Sequence, residues 1–244
     1  MATQTEHHWT VEQAREHLEG LGFLVADQPQ GLRRKHADLR VSCERNEYVV
    51  EASQRLPNGR WLALHEAVDG AGYRAIDREL RPLFAERIRE SERQLTSTPA
   101  PEAAIRVGWF AAEADDDYVL ACVEACLLGT RSVPMPESAA AAEIDCYGFA
   151  YSELSRCTDL DAAVLSNESG ARLVLNPYGR AVEHVRQSSL YAAFAAYDAV
   201  VDPLREVEAG HALMVGPDFV GPRDGRAQWA YLAQKYGRPL ATAC

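Results

Sequence analysis

The sequence predicts an α/β protein with a mixed β-sheet flanked by helices. Short runs rich in β-branched and apolar residues alternate with longer stretches in which apolar residues recur at helical spacing. The order through residue 111 is helix, strand, hairpin, long helix and strand. The hairpin pairs its two strands antiparallel within the expected sheet.

The composition is that of an ordinary globular chain. The 244 residues are 47% hydrophobic and 25% charged, which allows a substantial core in one large domain or in a domain with an extension. The formal net charge of -11 argues against a large non-specific nucleic-acid footprint, although a local one stays open. No apolar run approaches the roughly 20 residues of a membrane span, and the N-terminus lacks the pattern of a signal peptide. We therefore expect a cytoplasmic protein without a membrane contact.

The elements up to residue 111 follow from periodicity and turn residues. Thr10 is a candidate N-cap for the first helix, and Pro82 predicts a kink or two abutting helices within the long helix. In order, we expect a helix over 10–20, a strand over 23–26, hairpin strands over 37–43 and 48–55, a turn over 57–59, a short strand over 61–64, a helix over 73–95 and a strand over 105–111.

The chain after residue 111 predicts a second α/β region. Three aspartates at 115–117 complement the positive end of a helix dipole and so predict a helix start. We assign residues 1–111 to a core and 112–244 to a C-terminal α/β region that can belong to the same domain. Its expected elements are a helix over 115–128, a loop over 133–136, a helical turn over 138–143, a strand over 144–150, a hairpin of 162–165 and 171–175, a helix over 189–201, a strand over 212–215 and a helix over 226–236.

The hairpin organises the chain because its two faces differ in character. A short polar loop over 44–47 separates two alternating runs. A slip of one residue would exchange the faces, so the register is reasonably specified. A catalytic constellation can be built only on the polar face. The predicted pairs are Val41 with Val50 and Leu39 with Ala52 on the apolar face, and Arg40 with Glu51 and Asp38 with Ser53 on the polar face.

The polar face carries the residues that hydrolysis of a phosphodiester needs. Asp38 and Glu51 lie on neighbouring strands, where two carboxylates are close enough to share Mg²⁺. The hairpin, read as Ala-Asp-Leu followed by Tyr-Val-Val-Glu-Ala-Ser, resembles that of the PD-(D/E)XK restriction-endonuclease-like nucleases over roughly the first 110 residues. The resemblance implies a restriction-endonuclease-like core, Mg²⁺ held by Asp38 and Glu51, and a catalytic lysine two residues after Glu51.

The sequence departs from that pattern at the lysine, because Ser53 occupies its position. Lys35, Arg40 and Arg55 are candidate replacements. Directly opposite Glu51, Arg40 could instead form an ion pair that occupies the carboxylate. In this family an acidic residue of the first helix sometimes joins the metal site, and Glu12 and Glu16 are available here.

Two functions therefore stay open. The first is a Mg²⁺-dependent nuclease with Asp38, Glu51, Ser53, Lys35 and Arg40 as candidate catalytic residues. The second is a nuclease-like protein that has lost catalysis and acts through a protein or nucleic-acid partner. In either case, the basic residues Arg33, Arg34 and Lys35 can hold a phosphate backbone.

Overall fold

A seven-stranded mixed β-sheet with helices on both faces forms the centre of the protein. The computed structural model describes residues 4–29, 35–44, 46–53, 73–112, 117–134, 143–149, 152–222 and 224–237. Those residues form α1 (Gln4–Gly20), β1 (Leu24–Asp27), β2 (Leu39–Cys43), β3 (Asn46–Ser53), α2 (Tyr73–Ser97), β4 (Ile105–Ala111), α3 (Asp117–Leu128), β5 (Arg131–Pro134), β6 (Glu143–Tyr147), β7 (Ala162–Asn167), β8 (Gly170–Leu175), α4 (Val182–Arg186), α5 (Ser189–Ala195), β9 (Val200–Val201), α6 (Pro203–Glu208), β10 (Ala212–Met214) and α7 (Gly225–Tyr236).

The large sheet has the strand order β1-β2-β3-β4-β7-β8-β9. Three pairs are antiparallel, namely β1 with β2, β2 with β3 and β7 with β8. The other three pairs, β3 with β4, β4 with β7 and β8 with β9, are parallel. The predicted fold class, α/β with a mixed sheet flanked by helices, is therefore confirmed. Strands β7 to β9 of the C-terminal region continue the sheet that the first four strands begin.

The two faces of the large sheet bury separate apolar clusters. On one face, α1 and the α4–α5 pair cover the hairpin residues Val41, Tyr48 and Val50. On the other face, α2 and α3 cover Val49 and the neighbouring strands. A three-stranded sheet, ordered β10-β6-β5, lies beyond α3 and forms its own small core with α7.

The hairpin has the predicted faces but not the predicted register. Leu39 lies opposite Val50, two positions from the predicted Ala52, and Arg40 lies opposite Val49 instead of Glu51. The loop contains two residues instead of four, and its first residue, Glu44, has a left-handed backbone with φ of 51°. A shift of two residues keeps every side chain on its face, so the separation of apolar and polar residues survives the error.

Several element boundaries also differ from the prediction. Helix α1 begins at Gln4, so Thr10 is a buried residue inside the helix and not its cap. Helix α2 runs through Pro82 as one element. The helix predicted over 189–201 ends at Ala195, and 200–201 form an edge strand.

Other predictions fall partly or wholly outside the described residues. The prediction did not include strand β5, which contains part of the predicted loop at 133–136, or helix α6. The turn at 57–59, the strand at 61–64, residues 115 and 116 of the aspartate run and most of the helical turn at 138–143 lie outside the described part of the chain. Among the described helices, none has the length and apolar character to cross a membrane.

Candidate functional site

Asp38 is held rigidly at the start of the polar hairpin face. Its backbone N–H donates to the carbonyl of Val50 at 3.1 Å, and its carbonyl accepts from the N–H of Gln28 at 2.8 Å. One carboxylate oxygen, Oδ2, accepts a hydrogen bond from the backbone N–H of Ala52 at 3.0 Å. The side chain therefore bridges β2 and β3, and its position is fixed by the hairpin backbone.

Glu51 lies beside Asp38 and is almost completely buried, with an exposed fraction of 2%. Burial and the negative charge of Asp38 raise the pKa of Glu51 well above its ordinary value, and a hydrogen bond between the two side chains raises it further. The Oε2 atom of Glu51 has no hydrogen-bond partner among the described residues. The Glu51 carboxyl thus keeps its proton to a higher pH than an exposed glutamate does, and one of its oxygens is buried without a partner in the described structure.

A small cavity of about 190 Å³ opens in front of Glu51. The hairpin side contributes Glu51, Ser53 and the segment before Asp38, whereas helix α2 forms the opposite wall. The residues that line the cavity are Lys35, Glu51, Ser53, Arg87, Glu90, Ser91 and Gln94. Carboxyl, hydroxyl, amide and cationic groups therefore converge on one space next to the carboxylate pair.

Two residues of helix α2 that line this cavity carry further buried polar atoms. Ser91 and Gln94 have exposed fractions of 1% and 5%. Within the described part of the chain, the Ser91 Oγ and the Gln94 Oε1 make no hydrogen bond. A buried polar atom without a partner is unfavourable by about 1–3 kcal/mol, so three such atoms on residues that line one cavity require an explanation.

Lys35 supplies positive charge close to the carboxylates. It is exposed, and it lies three residues before Asp38 at the mouth of the cavity. Its charge acts on Glu51 in the direction that lowers the pKa of the carboxyl group, opposing burial and the negative charges of Asp38 and Glu90. Of the two proposed replacements for the missing lysine that the structure describes, Lys35 and Arg40, only Lys35 lines this cavity.

The other predicted site residues have different positions. Arg40 does not line the cavity, and its guanidinium Nη2 contacts Glu47 Oε2 at 2.8 Å on the exposed side of the hairpin. The predicted opposition of Arg40 to Glu51 is therefore wrong, because the register differs by two residues. Arg33, Arg34 and Arg55 lie outside the described residues.

No acid from the first helix joins the carboxylate pair. Glu12 and Glu16 lie on α1, which packs on the opposite face of the sheet from Glu51. The additional acid at the cavity is Glu90 of α2.

Sequence reasoning missed the contribution of α2, although one signal was present. The apolar stripe of this helix includes Phe84, Ile88 and Leu95, and Ser91 stands at the helical position between the last two. A serine that interrupts an apolar stripe predicts a polar group facing the interior. Arg87 and Gln94 lie one turn before and after Ser91, on the same side of the helix.

The oxygen atoms at this site fit a hard cation such as Mg²⁺. Mg²⁺ is usually held by one or two carboxylates and keeps several waters, and Asp38 and Glu51 meet that requirement. The oxygens of Glu51 and Gln94 that lack hydrogen-bond partners are of the same chemical type as the oxygen ligands of Mg²⁺. No cluster of three or more His, Cys, Asp or Glu side chains suited to a metal occurs among the described residues.

Comparisons of the chain with protein-family profiles, with curated protein sequences and with solved structures found no match in any of the three.

Proposed function

We propose that the protein is a metal-dependent hydrolase of phosphodiester bonds. The observation that carries the proposal is the cavity next to the Asp38–Glu51 pair, whose lining residues include cationic side chains and carry buried oxygens that lack partners within the described structure. Asp38 and Glu51 would hold the metal ion. When bound, such an ion generates a nucleophile from water near neutral pH and neutralises charge on the phosphate.

The protein's own residues contribute binding and charge stabilisation. Lys35 and Arg87 flank the cavity and can contact non-bridging phosphate oxygens, which suits a guanidinium and an ammonium group. Lys35 compensates for Ser53, because an ammonium group at the mouth stabilises negative charge that serine cannot. The Ser53 hydroxyl is a neutral hydrogen-bond donor on the same wall.

The test is cleavage of fluorescent single- and double-stranded DNA and RNA in Mg²⁺ or Mn²⁺, with EDTA as the blank. Glu51→Gln should abolish cleavage, and Lys35→Met should reduce it by about 100-fold, the usual contribution of a positioned charge. Glu47→Gln and Arg40→Met are the matched controls on the same hairpin, and both should keep full activity. Cleavage that persists in EDTA, or that Glu51→Gln leaves unchanged, would overturn the proposal.

Non-catalytic binding is the second candidate, and Ser53 in the lysine position favours it. This function keeps the metal site but lacks turnover. Thermal shift in Mn²⁺ reports metal binding, and combined with the cleavage assay it separates the two functions. Stabilisation of the native protein that is absent from Glu51→Gln, together with no cleavage of any substrate, would favour the binding function.

A further inference from the structure

A second and larger cavity lies on the opposite face of the large sheet. Its volume is about 580 Å³, within the range of about 300–1,000 Å³ that is typical of small-molecule sites. The walls come from the C-terminal end of α1, the turn between β7 and β8, and the segment that joins α5 to β9. None of these residues belongs to the Asp38–Glu51 site, so this cavity is independent of the function proposed above.

Aromatic rings form one wall of the cavity. The imidazole of His17 stacks on Phe194 with ring centres 5.8 Å apart and an angle of 26° between the planes. The edge of the same imidazole meets the buried indole of Trp109 at 5.6 Å. Tyr197 lines the rim and is 75% exposed. Small side chains such as Ala193 and Ala199 leave space beside these rings.

His17 provides a polar group within this wall. Neither ring nitrogen makes a hydrogen bond to a described residue, and the side chain is half-buried. Burial lowers the pKa of His17, so the ring is neutral at neutral pH. A neutral imidazole has one nitrogen that accepts a hydrogen bond.

The charge at the cavity is negative. Glu16 lines it and forms no ion pair with any described residue. Among the described residues that line the cavity, none is Lys or Arg. The C-terminal end of α1 also faces this region, and the dipole of a helix places partial negative charge at that end.

We propose that this cavity binds a small organic cation, namely a protonated amine attached to an aromatic or similarly apolar body. The apolar body fits between the small side chains and the rings of Phe194 and Tyr197. The ammonium group meets Glu16 and the helix end, donates to the free nitrogen of His17, and lies close to aromatic faces that attract cations. An anionic ligand of the same size lacks a counter-charge here.

The test compares two probes that share a ring and a chain length but differ in charge. Phenethylamine and 3-phenylpropanoate are titrated into the full-length protein at pH 7.5 by calorimetry, and the indole Nε1–H resonance of Trp109 is followed by NMR. Phenethylamine should bind with a dissociation constant of about 1 mM or tighter and shift the Trp109 resonance. 3-Phenylpropanoate should bind at least about tenfold more weakly.

Three variants locate the binding. Glu16→Gln should weaken phenethylamine by about three- to fivefold, the effect expected for a partly exposed ion pair. Ala193→Phe should fill the space and remove binding of the probe. Glu19→Gln is the matched control, because it removes one charge from the same helix end without lining the cavity, and it should leave the affinity unchanged.

Three results would overturn the proposal. The first is equal or tighter binding of 3-phenylpropanoate, and the second is binding of phenethylamine that neither Glu16→Gln nor Ala193→Phe changes. The third is the absence of detectable binding at a phenethylamine concentration of about 10 mM, which is ten times the expected dissociation constant. Each variant is first checked for an unchanged melting temperature, so that loss of binding is not loss of folding.

Discussion

Glu51→Gln should make the protein more stable at neutral pH. The substitution keeps the size and shape of the side chain but removes the titratable group. In the native protein, burial and Asp38 raise the pKa of Glu51 above its ordinary value of 4.5, so the folded state binds a proton that the unfolded state releases. The contribution of Glu51 to the free energy of unfolding of the wild type therefore falls as the pH rises above 4.5, whereas the Gln variant has no such loss.

The size of the effect follows from proton linkage. A difference of one bound proton between the folded and unfolded states changes the free energy of unfolding by about 1.4 kcal/mol for each pH unit. The advantage of the Gln variant should thus grow by up to about 1.4 kcal/mol per unit from pH 5 upward, until Glu51 ionises in the folded state. For a chain of this size, that corresponds to about 3–6 °C in melting temperature per unit.

The assay is urea unfolding in EDTA, followed by circular dichroism, at half-unit steps from pH 4 to pH 8. At pH 4 the two proteins should have nearly equal stability, because Glu51 is protonated in both states. Glu47→Gln is the matched control on the same strand. Its carboxylate is 46% exposed and pairs with Arg40, so its difference from the wild type should stay within about 1 kcal/mol and not grow with pH.

A constant difference between Glu51→Gln and the wild type across this range would refute the reasoning. It would mean that Glu51 has the same proton affinity in both states, and the carboxylate pair would then be fully ionised in the folded protein. A difference that shrinks as the pH rises would contradict it more strongly, since that sign requires a lowered pKa.

Three further predictions concern single side chains. Asp202→Asn should destabilise the protein by about 2–3 kcal/mol in urea unfolding, because Arg186 makes two 2.8 Å hydrogen bonds to that buried carboxylate and would keep, among the described residues, only the exposed Glu183 as an ion-pair partner. A loss below about 1 kcal/mol would mean that the pair behaves like a surface ion pair. Gly148→Ala should lower stability by about 2 kcal/mol or more, since φ is 75° and a Cβ would lie 2.8 Å from the Val215 carbonyl oxygen, and an unchanged melting temperature would contradict this. Ser91→Ala should leave the free energy of unfolding unchanged or raise it by about 1 kcal/mol, because the buried Ser91 hydroxyl has no partner among the described residues. A decrease of about 1 kcal/mol would instead show that the hydroxyl makes a hydrogen bond.

Local pattern was sufficient for much of the fold. The run at 105–111 was predicted to the residue, because a short apolar stretch stands between turn residues and an acidic segment. The helix over 226–236 was also predicted closely, and Gly237 ends it with a left-handed backbone. In both cases neighbours in sequence decide the structure.

Prediction failed where residues distant in sequence decide the outcome. Val200 and Val201 continue a helical pattern, but they pair with Leu173 and Val174 in the large sheet. Asp198 adopts a left-handed backbone that separates this strand from the helix before it. The hairpin register failed for a related reason, since neither residue of its two-residue loop is the Asn or Gly that usually marks such a turn.

The candidate site shows the same division. The sequence was sufficient to place Asp38 and Glu51 on the same face of the hairpin, because hairpin pairing is local and alternation assigns each side chain to a face. The residues of α2 that line the cavity next to Glu51 were not predicted. Which side of α2 packs against β3 depends on contacts between residues that are distant in sequence. Ser91 was the one residue whose type disagreed with its place in the apolar stripe.

The order of strands in the large sheet determines which strands lie at its edges and are open to pairing with another chain. Its edges are the two shortest strands of the described sheet, β1 with four residues and β9 with two. Edge strands offer unpaired backbone groups on which another chain can extend the sheet and begin aggregation. Strand β7 is fully buried and largely apolar, which is the composition that most favours pairing with another chain. It is already paired on both sides, with β4 and β8. The described large sheet thus exposes little backbone for strand addition, and Asp27 with its partner Arg15 places charge at the longer of its two edges.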